Sequence, residues 1–422
     1  MDKFLIEGGT SLNGTIPISG SKNAALPLMA AALLADGPVT ITNVPVLNDI
    51  FTFNKVIAET GAKVAYNKDA KELTIDPVSM DNFVAPYDLV RKMRASFYMT
   101  GALLGAAGQA RVSLPGGCAW GPRPVNLHLE GFRAMGAEIE MDGGYVVARA
   151  PNGRLPGGAF TMSPSSVGAT VNLVLAAVKA KGRTVIRNAA MEPDVVNLCD
   201  NLAALGARIS GSGTPVLTID GTDHISAGTM NNTPDRIETG TFMIAAAMLP
   251  GSDVTLTNTL ESDLGSFADT FRKLRTGLEF TDSTIRVRST DRIPPVSIET
   301  AIYPGFPTDL QAQWATMMAL ADGKSSVTDH IYPDRFSYVP ELVRLGANME
   351  RRDNTVFIRG CSVLTGASVM STDLRASVSL VMAGLAARSE TEVLRVYHLD
   401  RGYETLEEKL NAVGARIRRI SE

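Results

Sequence analysis

Short apolar helical stretches, each followed by a turn and a β-rich run, recur along this chain. Six stretches rich in Ala, Leu, Val and Met end at a turn and continue into a run with β character. They lie at 31–37, 103–108, 173–182, 243–251, 317–323 and 378–389. Because these helices are apolar on most faces, we expect them to lie inside the structure.

A second pattern alternates with the first and places a glycine between a helix and a strand. Its glycines are Gly61, Gly136, Gly206, Gly277, Gly346 and Gly414. Successive glycines are 75, 70, 71, 69 and 68 residues apart. We interpret each as a helix C-cap in the left-handed conformation, after which a strand begins. The two patterns predict six mixed α and β units, with the fourth shortened in a surface connection.

Composition and charge narrow the possible classes of protein. The chain has 422 residues and a net charge of −4, which favours two domains and argues against a nucleic-acid partner. The three cysteines, Cys118, Cys199 and Cys361, are odd in number and far apart, which is unlike a disulfide framework, so we expect a reducing cytosol. We also expect no signal peptide and no membrane-spanning segment.

Polar and charged residues stand where the apolar helices begin. Helix N-termini present unpaired N–H groups and a positive dipole end, which suits anions. For Ser96 or Thr239 alone, an ordinary helix cap is the better explanation. Lys22, Arg94 and Arg375 are different, because a cation opposes the dipole. Each needs an anionic partner, either a carboxylate of the protein or a ligand phosphate.

A loop rich in glycine and proline, residues 114–124, contains Cys118 and Arg123. A cysteine near cations on such a loop can have a lowered pKa and serve as acid, base or nucleophile. The alternative is a small buried apolar residue, the more common state of a lone cysteine, although the flanking glycines argue against burial. The sequence has neither a P-loop nor a Rossmann glycine motif, and its four histidines lack metal-ligand spacing.

Taken together, these motifs resemble those of the enolpyruvyl transferases over essentially the whole chain. The matching segments are SGSKNAA at 19–25, MRAS at 93–96, LPGGC at 114–118, RPV at 123–125, PDRIETGT at 234–241, FPTD at 306–309, TDLRAS at 372–377 and DRGY at 400–403. The resemblance implies a two-domain inside-out α/β barrel of six βαβαββ repeats, with helices inside and sheets outside. Residues 22–231 would form the domain with the cysteine loop, and residues 1–21 plus 232–422 would form the second domain. The active site would lie in the cleft between them.

The branch of the family with the Gly-Gly-Cys loop implies a specific reaction. The enolpyruvyl group of phosphoenolpyruvate would pass to the 3′-hydroxyl of UDP-N-acetylglucosamine by addition and elimination, with release of phosphate. This is the first committed step of peptidoglycan precursor synthesis, in the cytoplasm. The resemblance implies no metal and no organic cofactor.

The resemblance also implies roles for individual residues. Cys118 would donate a proton to C3 and form a covalent adduct, Asp309 would contact the 3′-hydroxyl, and Lys22 and Arg401 would complete the catalytic set. The implied phosphoenolpyruvate cradle is Lys22, Asn23, Arg123, Arg335, Asp373, Arg375 and Arg401. The implied sugar-nucleotide contacts are Arg94, Arg123, Pro124, Val125, Asn126, Leu127, Ser166, Val167, Gly168, Asp309 and Ile331.

Two departures and two alternatives accompany the resemblance. Asn126 stands where the family motif has Asp, so we expect altered contacts with the uracil. Trp120 is bulky for the loop that contains the cysteine, so we expect altered closure of that loop. One alternative is the activity of the sister enzyme that acts on shikimate 3-phosphate, but that enzyme lacks the Gly-Gly-Cys loop. The other is a non-catalytic sensor of sugar nucleotide, which would have lost the acid, the base or the cradle.

Overall fold

The computed structural model describes residues 2–115 and 125–421. The chain divides into two compact units. The continuous unit is Gly20–Thr233, and the split unit combines the chain up to Ser19 with the chain from Pro234 onward.

Short strands and short helices alternate through both units. The strands are β1 (Lys3–Glu7), β2 (Asn13–Pro17), β3 (Val39–Thr42), β4 (Lys63–Asn67), β5 (Glu72–Asp76), β6 (Val84–Ala85), β7 (Gln109–Ser113), β8 (Glu138–Asp142), β9 (Tyr145–Arg149), β10 (Gly158–Thr161), β11 (Arg183–Arg187), β12 (Arg208–Ser210), β13 (Val216–Asp220), β14 (Gly228–Asn231), β15 (Asp253–Thr257), β16 (Gly277–Phe280), β17 (Thr284–Arg288), β18 (Ile298–Glu299), β19 (Lys324–Thr328), β20 (Asn348–Arg352), β21 (Thr355–Arg359), β22 (Ser368–Met370), β23 (Thr391–Leu394) and β24 (Arg416–Ile420).

The helices are α1 (Lys22–Ala31), α2 (Asn48–Ala58), α3 (Tyr87–Val90), α4 (Tyr98–Ala107), α5 (Asn126–Ala134), α6 (Val167–Ala177), α7 (Pro193–Ala204), α8 (Arg236–Met248), α9 (Ser266–Arg272), α10 (Gln311–Met318), α11 (Val339–Arg344), α12 (Leu374–Ala386) and α13 (Leu406–Ala412). Short 3₁₀ segments precede several of them, including Arg94–Phe97, Thr308–Leu310 and Val396–Arg401.

Six four-stranded sheets of one design organise the described part of the chain. In strand order they are β14–β3–β5–β4, β6–β7–β9–β8, β10–β11–β13–β12, β16–β17–β15–β2, β18–β19–β21–β20 and β22–β23–β1–β24. Each has one parallel pair at an edge and two antiparallel pairs. The N-terminal strands β1 and β2 complete two sheets of the split unit, which explains why that unit contains both chain ends.

One helix in each repeat is buried on nearly every face. These helices are α1, α4 and α6 in the continuous unit and α8, α10 and α12 in the split unit. Within each unit they pack on one another, as α4 does on α6 and α10 on α12. The strands alternate buried and exposed positions, because only one face of each sheet covers the helices. The predicted six-repeat fold, with helices inside and sheets outside, is therefore confirmed.

Five of the six predicted glycine caps take the left-handed conformation. They are Gly61, Gly136, Gly206, Gly346 and Gly414. The prediction for Gly277 is wrong, since this glycine is the first residue of β16 and the left-handed residue of the fourth repeat is Arg275. Gly277 therefore lies two residues after the position that the cap glycines occupy in the other repeats. Like the glycines, Arg275 stands two residues before its strand, so this connection is not shortened.

Over residues 2–115 and 125–421, no helix combines the length and the apolar character needed to cross a membrane.

Candidate active site

In the split unit, Asp309 lies between two arginines. It belongs to the 3₁₀ turn Thr308–Leu310 that leads into α10. Its Oδ1 is 2.7 Å from Nη1 of Arg335, and its Oδ2 accepts a hydrogen bond of 2.9 Å from Nη2 of Arg375. The two arginine side chains are only 9% and 6% exposed, whereas that of Asp309 is 26% exposed. Three predicted site residues therefore meet at one point.

This arrangement keeps Asp309 ionised. Burial on its own raises the pKa of the carboxyl, but the charges and hydrogen bonds of Arg375 and Arg335 outweigh it and hold that pKa well below its usual value. Burial likewise opposes the charge on Arg375, and Asp309 more than compensates, so the pKa of Arg375 is raised. The N-cap positions of this turn and of α10 are Pro307 and Leu310, so Asp309 is not the capping residue of either.

Local sequence explains where Arg375 stands. Asp373 is the N-cap of α12, and its Oδ1 accepts hydrogen bonds of 2.8 and 3.0 Å from the backbone N–H groups of Arg375 and Ala376. Nη1 of Arg375 donates to the hydroxyl of Tyr403 at 3.2 Å. Burial raises the pKa of Tyr403 although Arg375 opposes this, so the phenol stays protonated. Tyr403 lies in a motif that sequence reasoning noticed but gave no role.

The two remaining predicted residues of this unit lie on other segments. Ile331 is partly buried, and its backbone N–H donates to Oδ1 of Asp329 at 2.8 Å. Arg401 ends the 3₁₀ segment Val396–Arg401. It lies close enough to His398 to affect it electrostatically: burial lowers the pKa of His398, Asp373 opposes that shift and Arg401 adds to it.

In the continuous unit, Lys22 is the first residue of α1. Its Nζ is 3.1 Å from Oδ2 of Asp49, and both side chains are largely buried. A carboxylate of the protein is thus the anionic partner that this helix-start cation required. Ser21 caps the helix by accepting from the N–H of Ala24 at 3.2 Å. Asn23, which follows Lys22, is partly buried.

The predicted sugar-nucleotide residues of this unit lie at the starts of helical segments. Arg94 begins the turn Arg94–Phe97, and Asn126 is the first residue of α5, with an exposed side chain. Ser166 caps α6 by accepting from the N–H of Ala169 at 3.3 Å, which leaves Val167 and Gly168 as its first two residues. Val125 and Leu127 flank Asn126 and are partly buried.

His128 and Asn172 join these segments and were not among the predicted site residues. The Nδ2 of Asn172 donates both to the carbonyl of Phe97 at 3.1 Å and to Nδ1 of His128 at 2.8 Å, so the Nε2 of the ring carries the proton. A Cβ on Gly168 would stand 3.3 Å from Cε1 of His128. Burial, with a further contribution from Arg94, lowers the pKa of His128 to about 3. A buried polar pair such as this one leaves no signature in sequence spacing.

Three predicted site residues, Cys118, Arg123 and Pro124, lie outside the described residues, as does Trp120. Among residues 2–115 and 125–421, no cluster of three or more His, Cys, Asp or Glu side chains is arranged to hold a metal ion.

Comparison with known proteins identifies the family. The family model described as EPSP synthase (3-phosphoshikimate 1-carboxyvinyltransferase) matches residues 6–410. The chain is 50% identical to the UDP-N-acetylglucosamine 1-carboxyvinyltransferase of Azorhizobium caulinodans over the full length of both proteins. It is 47% identical to the enzyme of that name from Chloroherpeton thalassium, over 99% of this chain and 97% of that one.

Comparison with solved structures gives the same family. The enolpyruvyl transferase NikO from Streptomyces tendae superposes with a TM-score of 0.90 at 25% identity, covering 100% of this chain and 99% of that one. EPSP synthase from Acinetobacter baumannii, at 17% identity, shares the fold over the full length of both chains with a TM-score of 0.77. Since both sequence and fold match over nearly the whole length, the chain belongs to the enolpyruvyl transferase family.

Proposed function

We propose that this protein transfers the enolpyruvyl group of phosphoenolpyruvate to the 3′-hydroxyl of UDP-N-acetylglucosamine and releases phosphate. The observation that supports this most directly is the pair of buried arginines, Arg335 and Arg375, on one carboxylate. Two guanidinium groups that converge on a carboxylate suit a carboxylate substrate. The curated relatives at about half identity carry the name of this activity.

The reaction balances without an added co-reactant. The 3′-oxygen bonds to C2 of phosphoenolpyruvate and gives up its proton, while C3 gains a proton and becomes a methyl group. The tetrahedral intermediate then loses a proton from C3 and expels phosphate, which restores the double bond as an enol ether. The protein has to supply an acid, a base and a cationic cradle for the anionic groups.

The proposal assigns these tasks to the predicted residues. Cys118 donates the proton to C3 and is the site of adduct formation. Arg335 and Arg375 hold the carboxylate end of phosphoenolpyruvate. The rest of the cradle is Lys22, Asn23, Arg123, Asp373 and Arg401.

Asp309 acts on the 3′-hydroxyl in this proposal, and its surroundings suggest how. With two arginines on its oxygens, its pKa is too low for effective proton abstraction. When the carboxylate of phosphoenolpyruvate shares those arginines, the pKa of Asp309 rises towards its ordinary value and an oxygen becomes available to the hydroxyl. Binding of one substrate thereby prepares the base for the other.

The sugar nucleotide is assigned to Arg94, to the segments 123–127 and 166–168, and to Ile331. The start of α6 presents backbone N–H groups that suit an anionic diphosphate, and Arg94 adds positive charge nearby. We place the reaction at the first committed step of peptidoglycan precursor synthesis, in the cytoplasm.

The test is release of inorganic phosphate by the purified protein. We expect phosphate only when phosphoenolpyruvate and UDP-N-acetylglucosamine are both present, and none when shikimate 3-phosphate replaces the sugar nucleotide. Release with shikimate 3-phosphate would establish the sister activity instead. Calorimetric binding of the sugar nucleotide without any phosphate release would show a sensor, and either result would refute the proposal.

A further inference from the structure

Asp329 is a fully buried carboxylate to which neither the resemblance nor the proposed reaction gives a role. It follows β19 directly, and its side chain is 0% exposed. Oδ1 accepts hydrogen bonds of 2.8 Å each from Thr300 Oγ1 and from the backbone N–H groups of Ile331 and Tyr332. Oδ2 accepts one of 2.6 Å from Thr308 Oγ1. The carboxylate therefore connects the segment that contains Ile331 to the turn that contains Asp309.

The direction of the Thr308 hydrogen bonds extends this connection to Arg335. The hydroxyl of Thr308 donates its single proton to Oδ2 of Asp329, so towards Arg335 it can only accept. Nη1 of Arg335 accordingly donates to Thr308 Oγ1 at 3.1 Å. The same nitrogen is 2.7 Å from Asp309 Oδ1. Arg335 is thus held by two acceptors from one 3₁₀ turn.

We infer that Thr308 is a positioning residue whose hydroxyl, held by Asp329, orients Arg335 towards phosphoenolpyruvate, while Asp329 also fixes the turn that contains Ile331. The inference rests on the proposed function, because it concerns the same reaction. Asp329 would thereby influence both predicted substrate sites. Arg335 belongs to the predicted phosphoenolpyruvate cradle, and Ile331 is a predicted sugar-nucleotide contact.

The contribution of Thr308 matters most when substrate is bound. In the proposed reaction the phosphoenolpyruvate carboxylate competes with Asp309 for Arg335. The hydrogen bond from Arg335 to Thr308 does not depend on Asp309, so it can keep the guanidinium oriented during that exchange. A lost positioning bond of this kind reduces ground-state binding of phosphoenolpyruvate and hence raises its KM.

The test is Thr308→Val, which keeps the shape of the side chain and removes the hydroxyl. We expect kcat/KM for phosphoenolpyruvate to fall about tenfold, mainly through KM, as for loss of one hydrogen bond to a charged group. The KM for UDP-N-acetylglucosamine should change by less than about twofold, because the bonds of Asp329 to Ile331 and Tyr332 remain. Thr308→Ser, which restores a hydroxyl, should recover most of the loss.

Thr300→Val is the matched control. Thr300 also donates to Asp329 and is fully buried, but it makes no contact with Arg335 among those described. It should lower the melting temperature at least as much as Thr308→Val and leave kcat/KM for phosphoenolpyruvate within about threefold of wild type.

The outcomes separate this inference from the proposed function. Equal losses of kcat/KM for phosphoenolpyruvate in Thr308→Val and Thr300→Val, or no rescue by Thr308→Ser, would overturn the inference while an active wild type upholds the proposed function. A wild type that releases no phosphate from the two substrates would overturn both.

Discussion

At the scale of single residues, the main feature is that one carboxylate neutralises two buried cations. Arg335 and Arg375 both lie within 3 Å of Asp309 and would repel each other without it, because burial removes most of the screening that water would provide. Asp309 compensates for both, so it contributes to stability as well as to the proposed chemistry. A variant that loses activity here must therefore be tested for stability before a catalytic role is assigned.

Asp309→Ala should destabilise the split unit and make it responsive to anions. Removing the carboxylate leaves two largely buried guanidinium groups without their shared partner, which should lower the free energy of unfolding by about 2–3 kcal/mol, less than for a fully buried pair because Asp309 is partly exposed. Inorganic phosphate should then raise the melting temperature of the variant more than that of wild type, since the anion replaces the missing charge. Thermal unfolding with and without phosphate measures both effects.

Asp334→Ala is the control for this experiment. Asp334 pairs with Arg351 at 3.0 Å, but its side chain is 78% exposed. Loss of such a pair should cost less than about 1 kcal/mol and should give no additional response to phosphate. If the two variants behave alike, Asp309 does not neutralise the buried arginines.

At the scale of elements, a buried histidine joins three helix starts that sequence reasoning had assigned to the sugar nucleotide. His128 packs edge-on against Phe97, with ring centroids 5.2 Å apart, and bonds to Asn172 of α6. Asn172 also accepts the N–H of Gly101 in α4 at 2.8 Å. Of these hydrogen bonds, the one from Asn172 to His128 requires the neutral ring, so protonation of His128 would remove a bond that joins α5 to α6.

The continuous unit should consequently lose stability in mild acid. Burial and Arg94 lower the pKa of folded His128 to about 3, against an ordinary value of 6.5, so between these values the unfolded chain binds the extra proton. The free energy of unfolding should then fall with pH below 6.5, by about 1.4 kcal/mol per unit from this group. Denaturant unfolding at pH 7.5 and 5.5 should show about 1.4 kcal/mol of this loss in wild type.

His128→Asn isolates the effect, because the Oδ1 of asparagine can accept from Asn172 but does not titrate. The variant should be less stable at neutral pH, since it lacks the ring, and should lose about 1.4 kcal/mol less than wild type between pH 7.5 and 5.5. His224→Asn, at an exposed histidine of the same unit, should keep the acid response of wild type. An unchanged acid response in His128→Asn would show that the ring is not held neutral.

At the scale of the whole molecule, repetition made the fold predictable. The spaced glycines and apolar helices predicted six units, and the structure has six sheets of one design. The helix-start cations Lys22 and Arg375 were correctly predicted to need anions, because a dipole argument depends only on position along a helix. The anions themselves, Asp49 and Asp309, are distant in sequence and only the fold identifies them.

The unpredicted part of the site consists of side chains whose role depends on packing. Asp329 and Asn172 lie in no motif of the sequence analysis, and Thr308 and Tyr403 lie in motifs that gave them no role. Each has a hydrogen-bond partner at least 21 residues away in the sequence. Periodicity reports which face of an element is buried, but it does not report which buried polar groups meet.

The fourth repeat offers a direct test of the rule that the repeats share. Arg275 has φ of 58°, in a position where the sister repeat has Gly346 with φ of 94°. A residue with a side chain is strained by roughly 1–2 kcal/mol in that conformation. Glycine avoids this strain, but the greater entropy of its unfolded chain offsets part of the gain in stability. Arg275→Gly should therefore raise the free energy of unfolding of the split unit by up to about 1 kcal/mol, whereas Gly346→Arg should lower it by about 1 kcal/mol. Equilibrium unfolding in denaturant measures both changes in free energy. A Cβ on Gly346 would meet no atom within 4 Å, so a loss of stability in Gly346→Arg cannot be attributed to a steric clash of the Cβ. Destabilisation by Arg275→Gly would mean that the arginine contributes contacts worth more than its backbone strain, and that the fourth repeat departs from the rule.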